Sequence, residues 1–66
     1  MTPHQFSKLL DHLQENYPEL YVQYPNNFVL SEGGLGVFQP AKVSDETHKV
    51  LMDIIDKWRT ENNADY

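Results

Sequence analysis

Between Leu20 and Pro40 the chain reads LYVQYPNNFVLSEGGLGVFQP, three runs of strand-forming residues divided by two turn signals. Leu20–Tyr24, Phe28–Ser31 and Leu35–Gln39 are rich in aromatic and branched side chains, which fit a pleated, half-buried surface. Pro25-Asn26-Asn27 separates the first two runs, the glycines separate the second from the third, and Pro40 stops the last. Connections this short exclude parallel pairing, which needs a crossover of about a dozen residues, so the expectation is a three-stranded antiparallel meander. Period two then puts Leu20, Val22, Tyr24, Phe28, Leu30, Leu35 and Val37 on one face. The other face receives Tyr21, Gln23, Val29, Ser31, Gly36 and Phe38.

All three glycines fall in this stretch, at 33, 34 and 36. A phosphate loop of the form G-x-x-x-x-G-K-[ST] needs a lysine after its glycines and a helix after that; neither is present. The dinucleotide pattern starts at Gly34-Leu35-Gly36 but meets Gln39 where Gly or Ala is required, and Glu32 places negative charge beside the would-be anion site. The glycines therefore read as structural: Gly33-Gly34 as the positive-φ pair of a two-residue hairpin loop. Gly36 reads as a bulge or a close approach by another backbone.

Outside the strands, two segments have helical periodicity. Thr2-Pro3-His4-Gln5 combines a cap, a proline suited to the first helical position and a glutamine placed to close a capping box. Phe6, Leu9, Leu10, Leu13 and Tyr17 follow at helical spacing, and Pro18 ends the helix near Asn16. Ser44 caps a second helix that runs to about Glu61, with Asp45 and Glu46 at its positive end. Val50, Leu51, Ile54, Ile55 and Trp58 form its apolar stripe, Trp58 reading as core. Asp45, Lys49, Asp53, Lys57 and Glu61 alternate in sign every four residues, an expected ladder of weak pairs.

The expected fold class is thus α+β, a single small domain over residues 1–66 ordered helix-strand-strand-strand-helix, with both helices on one sheet face and a frayed tail at 62–66. This order resembles the double-stranded-RNA-binding domain in topology. That family opens its second helix with phosphate-binding lysines, whereas Ser44-Asp45-Glu46-Thr47-His48 stands at the corresponding place here. No direct nucleic-acid contact is expected.

Composition points the same way. Ten acidic residues against five basic ones give a formal charge of −5, unfavourable for phosphate-driven nucleic-acid binding or for an anionic membrane surface. No apolar run approaches the ~20 residues that span a bilayer, and the N-terminus lacks the pattern of a secretory signal. With no cysteine, a reducing, cytoplasmic setting is the expected home. A chain of 66 residues without disulfides lies near the lower size limit for independent folding.

Residues capable of chemistry are scattered. His4, His12 and His48 form no i, i+4 pair or H-E-x-x-H motif, so no metal or other cofactor is expected. Ser44 is explained by capping, Ser7 and Ser31 have no base placed by local structure, and the carboxylates lie on solvated helix faces. Enzyme activity is not expected. The sheet face uncovered by helices would be an exposed apolar patch, the kind that marks a partner surface. A small protein-interaction module (an adaptor, inhibitor or subunit) is the expectation, using Tyr21, Gln23, Val29, Gly36 and Phe38 to bind a protein partner or a second copy in a homodimer. The alternative is an inhibitor of phage type whose acids imitate nucleic-acid charge to block a DNA- or RNA-handling protein.

Overall fold

In the computed structural model, which describes residues 1–64, the elements run α1 (Pro3–Asn16), α2 (Pro18–Tyr21), β1 (Phe28–Ser31), β2 (Gly34–Val37) and α3 (Asp45–Glu61). The capping box forms as the residue types predict. Thr2 Oγ1 accepts from the Gln5 amide at 3.1 Å, and Gln5 Oε1 accepts from the Thr2 amide at 2.9 Å, which satisfies two donors that a helix start leaves without partners. One turn apart, Leu9 and Leu13 are fully buried. Pro18 then halts the helix, because its ring disfavours helical backbone at Tyr17.

The first expected strand does not exist. Pro18 opens α2 instead, with the Tyr21 amide donating to Tyr17 O at 2.9 Å and the Val22 amide to Pro18 O at 3.0 Å. Burial explains the difference: Leu20, Tyr21 and Tyr24 face the core, whereas Val22 is 70% exposed. Positions i, i+1 and i+4 share a helical face; a strand would have buried 20, 22 and 24 together. Packing thus overrides the strand propensity of Tyr and Val. The sheet that remains among the described residues is a two-stranded antiparallel ribbon, so the three-stranded meander is corrected to a hairpin, and the topological likeness to the double-stranded-RNA-binding domain ends with it.

A turn from Tyr24 to Asn27 delivers the chain into β1. The Asn27 amide donates to Tyr24 O at 3.3 Å and Asn26 has φ 59°. Proline second and a left-handed asparagine third define a type II turn. In the hairpin, Phe28 pairs with Val37, Val29 with Gly36, Leu30 with Leu35 and Ser31 with Gly34. The connecting residues are Glu32 and Gly33, one position earlier than the Gly33-Gly34 pair expected. Within the hairpin, positive φ occurs at Gly34 alone, at 106°, so the primed turns that require it at the first loop position are excluded. A glycine in this conformation just past a two-residue turn is the usual companion of a type I hairpin.

Helix α3 starts at Ser44, whose Oγ accepts from the Thr47 amide at 3.2 Å. Leu51, Ile55 and Trp58 carry its buried stripe, while Val50, expected on that stripe, is 52% exposed. One helical step of about 100° separates Val50 from Leu51, and only Leu51 points into the core. The expected charge ladder is not drawn together either. Among the described residues the ion pair within 4 Å is Asp56–Arg59, at 2.6 Å, since exposed lysines gain little by being held in one rotamer.

Residues 62–64, expected to fray, are anchored. Asn63 has φ 53°, the Ala64 amide donates to Arg59 O at 2.9 Å, and Ala64 is 2% exposed. A left-handed residue after the cap and a bond back across the last turn make a Schellman ending, with its apolar contact supplied by Ala64. The remaining expected tail, Asp65 and Tyr66, lies outside the described residues. Leu9, Leu13, Tyr24, Val43, Leu51, Ile55, Trp58 and Ala64 form the core, onto which Phe28, Leu35 and Val37 of the hairpin pack. No helix among the described residues is long and apolar enough to cross a membrane.

Candidate functional site

The hairpin has two unlike faces. Phe28, Leu35 and Val37 pack on the core, while Val29 and Ser31 on the opposite, outer face are exposed and pair with Gly36, half-buried, and Gly34, buried. Register continues one pair further, since the Phe38 amide donates to Asn27 O at 2.9 Å and Asn27 Nδ2 to Phe38 O, also at 2.9 Å. Asn27 and Phe38 therefore join the outer face. Phe38 is 61% exposed and Val29 42%. No charged side chain lies on this face, although the chain carries fifteen (five basic and ten acidic).

Of the five residues expected at the site, three come together there: Val29, Gly36 and Phe38. Tyr21 does not. Its ring stacks on Phe28, with centroids 5.6 Å apart and planes at 11°, on the core side of the hairpin. Gln23 lies in the turn after α2, where its Nε2 donates to Glu19 O at 3.1 Å. Both were placed on the outer face by the strand that does not form.

Gly36 answers a question that its position in a strand raises. Pairing runs through it without a bulge, and a Cβ built there would meet Val29 O at 3.8 Å, an ordinary contact. The chain's own fold does not require a glycine here. Its missing side chain leaves bare, half-buried backbone across from Val29 and two residues before Phe38.

The two edges of the hairpin are also open. Because 27/38, bonded by the Phe38 amide, sets the alternation and 29/36 and 31/34 follow as the hydrogen-bonded pairs, the backbone groups of Phe28 and Leu30 on one strand and Leu35 and Val37 on the other point outward along the edges. Beside Asn27 the surface continues into a cleft of about 390 Å3 lined by Val22, Gln23, Pro25, Asn27, Pro40, Lys42 and Val43. From residue 20 to residue 41 the only charge is Glu32.

One polar contact inside the molecule was not legible beforehand. The fully buried Tyr24 ring lies 5.8 Å from the His48 ring, and Tyr24 Oη and His48 Nδ1 are 3.0 Å apart. This hydrogen bond gives the buried hydroxyl its partner. Burial pushes the Tyr24 phenol above its ordinary value. His48 is half-buried and tied to structure by this bond. Among the described residues, no group of three or more His, Asp or Glu side chains is placed to hold a metal ion.

Compared with known proteins, the chain matches no family model, no curated protein and no solved structure.

Proposed function

We propose that the chain is a protein-interaction module, an adaptor, inhibitor or subunit that binds a protein partner or a second copy of itself through the outer face of the hairpin. The supporting observation is Phe38, an aromatic ring 61% exposed on a face without charge in a chain of net charge −5. Val50 sits differently: it has Glu46 and Asp53 as its neighbours four before and three after on α3. Aromatic anchors surrounded by uncharged surface are the usual centre of an interface, and the free strand edges add a route for backbone pairing with a partner.

Replacing Val29 and Phe38 together by serine tests this. The expected result is loss of partner capture, or of self-association in sedimentation, with an unchanged thermal melt. Retention of both would remove the support for this surface. A second reading, imitation of nucleic-acid charge, draws on a different observation: all nine acidic residues within 1–64 are exposed, and among the described residues Asp45, Asp53 and Glu61 make no ion pair within 4 Å with Lys49 or Lys57. Salt separates the two. Docking on the uncharged hairpin face is little affected between low and moderate salt, whereas charge imitation is strongly weakened.

A further inference from the structure

We propose that the cleft between the end of α1 and the second half of α3 binds a methylated ammonium cation. The cleft measures about 130 Å3 and is lined by His12, Tyr17, Ile54, Lys57, Trp58 and Glu61. Its volume suits a single compact group rather than a peptide or nucleotide. Three of the six lining residues are aromatic rings, and a fourth is a carboxylate.

The rings form walls. His12 and Tyr17 stand with centroids 5.9 Å apart and planes at 65°, so they meet at a steep angle. Trp58 contributes from α3; it is 8% exposed and lines the cleft. Aromatic faces carry negative quadrupole charge and attract cations, tryptophan most strongly. Their attraction favours methylated ammonium in particular, because a cation clothed in methyl groups gives up its water more readily than one bearing N–H donors. Glu61 adds a full negative charge at the rim.

Asn16 holds the His12 wall in place. Asn16 Nδ2 donates to the His12 carbonyl at 3.0 Å, which fixes the orientation of the amide, and the same nitrogen lies 3.2 Å from His12 Nδ1. This contact turns the Nδ1 edge of the ring toward Asn16 and sets the orientation of the His12 wall. Lys57 works the other way. It places a like charge beside the cleft and offsets Glu61, so attraction in the native chain rests on the rings. Removing it gives the proposal a gain-of-function test. This site is separate from the hairpin face and does not depend on it.

Trp58 is the only tryptophan, so its fluorescence reads the cleft directly. Tetramethylammonium, choline and a short peptide carrying trimethyllysine are titrated at pH 8 and constant ionic strength, with sodium, ammonium and the unmethylated peptide as controls. A saturable change with the methylated cations alone is expected. Lys57→Gln tightens binding severalfold, and Tyr17→Ala, at a position 39% exposed, weakens it about 2- to 30-fold. Glu61→Gln, an exposed change that leaves the fold intact, also weakens it. Tighter binding of choline would assign the group to a free small molecule, and tighter binding of the peptide to a modified protein. An equal response to sodium or ammonium, no saturation, or unchanged affinity in both Lys57→Gln and Glu61→Gln would overturn the proposal.

Discussion

Replacing Tyr24 by phenylalanine isolates a hydrogen bond that ties the α2–β1 turn to α3. The ring stays: it is fully buried and keeps its neighbours Phe28, at 5.9 Å, and His48, at 5.8 Å. What goes is the hydroxyl 3.0 Å from His48 Nδ1. A hydrogen bond of this kind contributes about 0.5–1.5 kcal/mol net, and half-buried His48 can turn to water, so a loss of about 1 kcal/mol is expected. In a domain of this size that lowers Tm by about 4–8 °C. Tyr24→Ala removes the ring as well and costs about 3–5 kcal/mol, comparable to the whole stability of so small a core. Thermal and urea melts followed by circular dichroism, run as a double-mutant cycle with His48→Ala, separate the bond from the packing. Zero coupling in the cycle, or a Tyr24→Phe protein as stable as the native one, would refute the assignment.

The same residue sets an alkaline limit. Burial makes the Tyr24 phenol harder to ionise in the folded chain than in the unfolded one. Its contribution is therefore complete below about pH 10 and is lost as pH rises beyond that value; the stability gap between native protein and Tyr24→Phe should close above pH 10 in urea melts. At the glycines, Gly36→Ala leaves the melt within about 0.5 kcal/mol of native or raises it, while Gly34→Ala, forced to φ 106°, lowers it by about 1–3 kcal/mol. Val22→Gln, at a 70% exposed position, changes stability by less than about 0.5 kcal/mol, whereas Leu20→Gln is clearly destabilising; a loss at Val22→Gln as large as at Leu20→Gln would restore the strand. Asn63→Gly stabilises by a few tenths of a kcal/mol up to about 1, and Asn63→Val destabilises by about 1–2, because only glycine and asparagine accept the left-handed end of α3 readily.

Helix ends were the most legible feature of this sequence. Thr2-Pro3-His4-Gln5 and Ser44-Asp45-Glu46 specify their caps locally, through side chains three residues from their targets, and both form with the expected partners. The segment 18–24 was not legible from propensity, since Leu20, Tyr21 and Tyr24 suit either period and the choice is made by the core they meet. Pro18 followed by Glu19 was the available signal: proline at a first helical position with an acid in the first turn. At Asn62-Asn63 the signal was the residue type itself, asparagine where a helix needs a left-handed residue to end. Period two within the hairpin placed Val29, Gly36 and Phe38 correctly on one face, because strand alternation is fixed by geometry once the turn is known. Tyr21 and Gln23 were misplaced by the missing strand. The Tyr24–His48 contact joins residues 24 positions apart, and nothing local in the sequence announces it.

The hairpin face is tested most directly by a photoreactive phenylalanine analogue placed at position 38, compared with the same analogue at position 50, which is also exposed but lies on α3 among charged neighbours. Irradiation of the chain with its captured partner, or at a concentration where it self-associates, is expected to give a crosslink from position 38 and none from position 50. Crosslinking from position 50 with none from 38 would place the interface on the helix and contradict the role assigned to Val29, Gly36 and Phe38.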